Sequence, residues 1–190
     1  MFYDPTSHPF AASVESNHRA ITEEFRALAP DDFTAWPEKF LYGEGWDVFG
    51  LLSYGHWMES NCKRCPTTMA IAKTIPGLTT MGFSVLQPHT EIAPHQGYSS
   101  LIRRCHLGLI VPEDCGMRVG TETRQWKEGR LLIFEDAVEH TAWNRSDAVR
   151  VVLLFDILKN PDSKADLQMM TRIGRELHRK HVPIGDTETR

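Results

Sequence analysis

The sequence has no apolar run approaching the roughly 18 to 20 residues that a membrane-spanning helix needs. Its start, Met1-Phe2-Tyr3-Asp4-Pro5, carries neither the basic nor the apolar stretch of a secretory signal, and a cytoplasmic protein is expected. Cysteine is scarce. Cys62, Cys65, Cys105 and Cys115 are too few to demand a disulfide framework in a chain of 190 residues, so reduced thiols are expected. Charge excess is missing too: 21 basic against 25 acidic residues leave a net charge of −4, with no general attraction to nucleic acid or anionic lipid. Repeats, low-complexity tracts and linkers are absent, which predicts one domain over 1–190. Nothing in the pattern specifies an oligomeric state.

What is present points to metal chemistry. Hydrophobic residues make up 41% of the chain, enough for one well-buried core, and there are nine histidines and five tryptophans. Imidazole is the usual protein ligand for catalytic transition metals.

Periodicity predicts a helix over Ser13–Leu28, with Val14, Ile21, Phe25 and Leu28 on one side and Pro30 as the stop. Trp46–Tyr54 reads as a first strand, and Cys65-Pro66 opens a short helix to about Lys73. From residue 81 the pattern changes. Met81–Gln87, Arg104–Val111, Met117–Gly120, Leu131–Glu135 and Val149–Ile157 read as strands between turn residues. Short strands at this pitch predict a mainly β fold with flanking helices, a β-sandwich or double-stranded jelly roll. Residues 1–80 would give helical and aromatic support, 81–160 the jelly-roll core, and 161–190 a C-terminal helix. In that helix, over Ser163–His181, Leu167, Met170, Ile173 and Leu177 share a face.

The candidate site residues come from polar side chains placed among apolar ones. His95 follows Pro94 at the start of a turn-rich loop, and His140 closely follows a strand. Two histidines at strand edges suit a metal site on such a scaffold and equally suit two hydrogen-bonded core residues. Arg150 interrupts the apolar run Ala148–Phe155 on the face of Val152 and Leu154. It is either a structural ion pair or a bidentate clamp for a carboxylate. Arg104 and His106 share a strand face with Ile102, and Ser84 places a hydroxyl inside Gly82–Leu86. Cys62-x-x-Cys65 has neither a second ligand pair for zinc nor the βαβ surroundings of a redox motif. The basic run His178-Arg179-Lys180-His181 reads as a solvated helix end.

The stretch Phe83–Pro161 resembles the aspartyl/asparaginyl β-hydroxylase family of iron(II)/2-oxoglutarate oxygenases. The resemblance rests on Phe83-Ser84-Val85-Leu86-Gln87-Pro88, Pro94-His95-Gln96-Gly97 and Arg104-Cys105-His106-Leu107-Gly108-Leu109. It continues in Trp126-Lys127-Glu128-Gly129, Phe134-Glu135-Asp136, Glu139-His140, Trp143-Asn144, Arg150 and Asp156. It implies a jelly roll in which His95 and His140 ligate iron(II), with Arg150 and Ser84 on the distal carboxylate of 2-oxoglutarate. Arg104 and His106 would lie where the other end of that co-substrate meets an acidic substrate group. Dioxygen is the implied oxidant, acting on an amino acid, a peptide or a small metabolite.

A facial triad would place a carboxylate where this chain has Gly97, so the resemblance implies only two protein ligands. Chloride filling that vacancy would make the chain a halogenase, the rival chemistry. A jelly roll that binds metal without turnover is the rival of another class. Family members acting on aspartyl residues also carry cations where Ile102 and Gly82 stand here, which weakens the expectation of an acidic substrate.

Overall fold

The computed structural model describes residues 1–181. The 182–190 end of the expected C-terminal segment lies outside the described residues. Two antiparallel sheets face each other as a jelly roll. In chain order the elements are β1 (Phe2–Tyr3), α1 (Ala11–Ser16), α2 (His18–Arg26), β2 (Thr34–Ala35), β3 (Trp46–Ser53) and β4 (His56–Trp57). Then come α3 (Glu59–Cys62), α4 (Pro66–Ala72), β5 (Leu78–Leu86), β6 (Thr90–His95), β7 (Ile102–Ile110) and β8 (Cys115–Val119). The chain continues through β9 (Glu122–Gln125), β10 (Leu131–Phe134), β11 (His140–Asn144), β12 (Arg150–Leu158) and α5 (Lys164–His181). The larger sheet runs β1-β10-β7-β12-β5-β3-β2, with β4 paired to β3, and the smaller runs β6-β11-β8-β9.

Strand β12 is buried along its whole length and organises both layers. Its odd-numbered residues, Val151, Leu153, Phe155 and Ile157, join the cluster under α1, α2 and α4. Its even-numbered residues Val152 and Leu154 turn toward the smaller sheet, into a second apolar cluster with Trp46, Leu86, Met117 and Phe134. Each large side chain so buried contributes about 1.5–3 kcal/mol. The same alternation carries Arg150 and Asp156 into the space between the sheets, both almost fully buried.

Two local expectations are corrected. The helix expected over Ser13–Leu28 is two helices, because Asn17 leaves helical geometry at φ −95°, ψ 3° and its amide donates to the Ser13 carbonyl at 2.8 Å. The stretch before Gln96 is strand β6, and His95 is its last residue. The remaining strand and helix expectations hold to within a few residues at their ends. Among the described residues all four cysteines are free thiols, and no helix is long and apolar enough to cross a membrane.

Candidate active site

His95 and His140 meet because β6 and β11 pair antiparallel with these two residues in register. Their ring centroids are 4.2 Å apart. The Nδ1 of His95 contacts the Ala93 carbonyl at 2.8 Å, and that of His140 the Val138 carbonyl at 2.8 Å. A carbonyl only accepts, so each Nδ1 carries the proton, and each Nε2 presents a lone pair. Two adjacent imidazole lone pairs anchored from behind are the arrangement a divalent metal completes. Burial, together with the nearby His95, holds the pKa of His140 down at about 3, so the ring is neutral and ready to ligate.

The third side of this site is Asp136, to which the sequence pattern assigned no role. Its Oδ1 lies 3.7 Å from His140 Nε2 and 2.9 Å from Arg104 Nη1. That oxygen is buried, and its contact with Arg104 is an ion pair outside hydrogen-bond geometry. The carboxylate stands against Gly97: a Cβ there would come within 1.7 Å of Asp136 Oδ2. Position 97 therefore has no room for a side chain, and the space a triad carboxylate would use is filled from another strand end. Among the described residues no three of His, Cys, Asp or Glu gather as a three-ligand metal cage. Two histidines with an adjacent carboxylate are what the protein offers.

Arg104 stands across the β7–β12 ladder from Asp156. Its Nε and Nη2 donate to that carboxylate at 2.8 and 3.1 Å, while Nη1 faces Asp136. Burial opposes the charge on Arg104, yet Asp136 and Asp156 outweigh it and raise its pKa. Burial raises the pKa of both carboxylates, against the pull of Arg104. All three guanidinium nitrogens thus face carboxylates of the protein itself.

Arg150 is placed differently. It is 2% exposed, and among the described residues it has no acidic partner. Its Nη1 donates to the Ser84 carbonyl at 3.2 Å and approaches Ser84 Oγ at 3.5 Å, and its Nε has no acceptor. The guanidinium lies over the Trp126 ring at 4.7 Å. Burial without a carboxylate lowers its pKa to about 10. Two tryptophans orient the groups beside it. Trp46 Nε1 donates to Ser84 Oγ at 3.0 Å, which turns the hydroxyl proton elsewhere. Trp126 Nε1 donates to His106 Nδ1 at 3.2 Å, which leaves the proton on Nε2, a buried donor with no acceptor. Burial, reinforced by Arg150 and Arg104, holds His106 well below the usual imidazole range and keeps it neutral.

Ser84, His95, Arg104, His106, His140 and Arg150 all line one pocket between the sheets, closed by Trp46, Ile92, Met117, Phe134, Ala142 and Leu154. The six residues singled out in the sequence are brought together. The missed ones, Asp136 and Asp156, left faint signals. Asp156 shares the period-two face of Arg150, and Asp136 follows directly on an apolar strand, four residues before His140.

The fold is thus a jelly roll whose pocket holds a histidine pair beside a buried guanidinium without an acidic partner among the described residues. The sequence profile of the aspartyl/asparaginyl beta-hydroxylase family matches residues 15–160, and the chain belongs to that family. The ornithine lipid ester-linked acyl 2-hydroxylase of Rhizobium tropici is 38% identical over 174 residues, covering 86% of this chain and 62% of that protein. Human aspartyl/asparaginyl beta-hydroxylase is 32% identical over 154 residues, covering 76% of this chain and 20% of that protein. The chain thus spans 62% of the first relative's length and 20% of the second's. The solved prolyl-4-hydroxylase of Pseudomonas putida superposes with a TM-score of 0.51 at 13% identity, over 77% of this chain and 88% of that one. That likeness shows the fold alone.

Proposed function

We propose that this chain is an iron(II)- and 2-oxoglutarate-dependent dioxygenase that hydroxylates an unactivated carbon of an amino acid, a peptide side chain or a small metabolite. The observation that carries the reading is Arg150. A buried guanidinium without an acidic partner is expensive and demands an anion. The free N–H of Arg150, the hydroxyl of Ser84 and the Nε2–H of His106 supply donors for a carboxylate inside one pocket. A dicarboxylate held there reaches toward the histidine pair.

His95 and His140 would hold the metal through Nε2. When bound, iron(II) with 2-oxoglutarate and dioxygen supplies an oxidant able to break an unactivated C–H bond, with succinate and carbon dioxide as co-products. The protein's part is orientation and exclusion of water. Carbonyl anchors fix both imidazoles, Trp46 and Trp126 set the direction of the Ser84 and His106 donors, and Phe134, Met117 and Leu154 keep the walls apolar.

Hydroxylation is favoured over halogenation by Asp136. A halide at the vacancy left by Gly97 would sit against its carboxylate, a like-charge contact in a poorly solvated site. A metal-binding jelly roll without turnover has no use for a carboxylate receptor beside the metal.

The test is an anaerobic titration with iron(II) and 2-oxoglutarate, followed by the visible charge-transfer band of the chelate, with succinate release after oxygen is admitted. A saturable band, lost in His140→Ala and weakened in Arg150→Met, supports the reading. Folded protein that binds iron yet gives no band overturns it.

A further inference from the structure

Next to the pocket stands a charge that the hydroxylase reading leaves without a role, that of Glu38. Glu38 lies just before the turn Lys39–Leu41, which packs on β6. Its carboxylate bridges two walls. On one side Oε2 accepts from Trp36 Nε1 at 3.0 Å, and Trp36 stacks flat on Trp46, rings 4.4 Å apart and 6° from parallel. Trp46 in turn holds Ser84. On the other side Oε1 accepts from the phenol of Tyr98. Tyr98 follows Gly97, whose N–H donates to the Asp136 carbonyl at 2.8 Å. Glu38 is therefore tied to the Ser84 wall and to the metal-side wall at once. A carboxylate has about four acceptor positions, and two here are in use.

Among the described residues Glu38 makes no ion pair, and Arg104 is taken up by Asp136 and Asp156. Other nearby cations are engaged or turned away. Arg103 lies over the Tyr3 ring on the opposite face of β7, and Lys159 pairs with Glu135 at 2.7 Å. Lys39 is exposed and, among the described residues, makes no ion pair with Glu38. No cation can be added on the inner strands without disruption. The Ile102 side chain is packed with Leu158 and Met170, and a Cβ at Gly82 would meet the Phe49 carbonyl at 2.8 Å. The Tyr98 ring whose phenol holds Glu38 is 48% exposed, and Phe40, two residues on in the chain, is 79% exposed. An exposed aromatic ring near a carboxylate adds a surface for an ammonium or guanidinium group.

We propose that the substrate presents a cationic group, an ammonium or a guanidinium, to Glu38 beside the pocket, so that the enzyme selects amine-bearing over acidic substrates. The inference rests on the hydroxylase reading for the pocket beneath. Electrostatic complementarity at such a position acts through specificity: an acidic substrate is repelled by the same charge that holds a cationic one.

The experiment uses two matched probes, N-acetyl-lysine methylamide and N-acetyl-glutamate methylamide, titrated into 2-oxoglutarate-loaded protein and followed by saturation-transfer NMR. The variant is Glu38→Gln, whose amide oxygen can still accept from Trp36 while its NH2 can donate to the Tyr98 phenol oxygen, and the charge is gone. The lysine derivative should bind about tenfold tighter than the glutamate derivative, the scale of one hydrogen bond to a charged group, and Glu38→Gln should erase the difference. Equal affinities, preference for the glutamate derivative, no binding of the lysine derivative, or an unchanged preference in Glu38→Gln each overturn the inference. Binding of 2-oxoglutarate is measured in the same samples. If it is intact while the cation preference is missing, the substrate inference alone fails. If 2-oxoglutarate does not bind, it is the reading of the pocket that fails, whatever the probes do.

Discussion

Asp156 sits directly opposite Arg104 across the β7–β12 ladder, and the same guanidinium turns its remaining nitrogen to Asp136. One buried cation thus holds two buried carboxylates, one of which stands 3.7 Å from His140. The histidine side of the pocket is organised by this trio, and Arg104 acts in it as the organiser of two acids.

Replacing Arg104 with methionine should be costly. Two buried carboxylates would lose the cation that pairs with both, and removing one partner of a buried ion pair costs about 3–5 kcal/mol. The variant should also acquire a distinctive pH response. Both carboxylates already have raised pKa values, and losing Arg104 raises them further. A raised folded-state pKa contributes stability that is present at low pH and lost as pH rises through it. The gap in melting temperature between Arg104→Met and the parent protein should therefore narrow as the pH is lowered from about 7 to about 5. A variant that is destabilised equally at both pH values would show that the carboxylates do not depend on Arg104.

Arg150 should behave in the opposite way. It is as buried as Arg104 but has no acid to hold among the described residues, so on the proposed reading its charge would serve a bound anion at the expense of the folded chain. Arg150→Met keeps an unbranched apolar stem and removes the charged group that lies over Trp126. The melting temperature should stay the same or rise, while affinity for 2-oxoglutarate falls by about a hundredfold, the scale of losing one partner of a buried charge pair. Calorimetry of unfolding and equilibrium binding check the two halves separately. A large fall in melting temperature would mark Arg150 as structural.

How much of this was legible in the sequence differs by strand. β12, β5 and β7 are buried on both faces, so they read as apolar runs, and the few polar residues in them stand out as Ser84, Arg104, His106 and Arg150. The smaller sheet gave weaker signals. β9, Glu122–Gln125, is exposed throughout and has no apolar pattern; it exists because Val119 and Gly116 pair with its ends. β6 contains Pro94 and stops at His95, just before Gln96-Gly97, a stretch that reads as a loop, yet the pairing of His95 with His140 makes it a strand. The break at Asn17 was hidden because the apolar positions on both sides of it keep helical spacing. Position 97 was legible as a vacancy in a triad. What fills it was not, because Asp136 reaches it from the end of β10, a relationship only the packing of the two sheets creates.

His106 gives a pH-dependence of known sign. Its pKa is lowered well below 6.5 by burial, with Arg150 and Arg104 adding to the effect. Below pH 6.5 the unfolded chain takes up a proton at this residue that the folded chain refuses, so stability falls as the pH drops. One such group contributes a slope of up to about 1.4 kcal/mol per pH unit. His106→Gln removes the titration. Denaturant unfolding of both proteins between about pH 7 and pH 5 should give a shallower pH slope for the variant. Parallel slopes would mean that His106 takes up its proton in the folded state as readily as in the unfolded one.

The contact between Gly97 and Asp136 leads to a paired test. A side chain at position 97 cannot coexist with the Asp136 carboxylate, since even a Cβ would lie 1.7 Å from Oδ2. Gly97→Asp alone should therefore fail to build a facial triad. It forces a second carboxylate against the first, and overpacking of this kind costs about 1–3 kcal/mol before the like-charge repulsion is counted. Asp136→Gly alone leaves Arg104 with one partner and opens the space. The double variant, Gly97→Asp with Asp136→Gly, moves one carboxylate from strand end β10 to the turn after β6 and keeps the charge count constant. It should melt above the Gly97→Asp single variant, with a coupling energy of about 1–3 kcal/mol between the two sites. It should also bind cobalt(II) more tightly than the parent protein, because the carboxylate would then sit beside His95 where a third ligand is wanted. Simple additivity of the two single substitutions in thermal melts would show that residues 97 and 136 do not compete for one space.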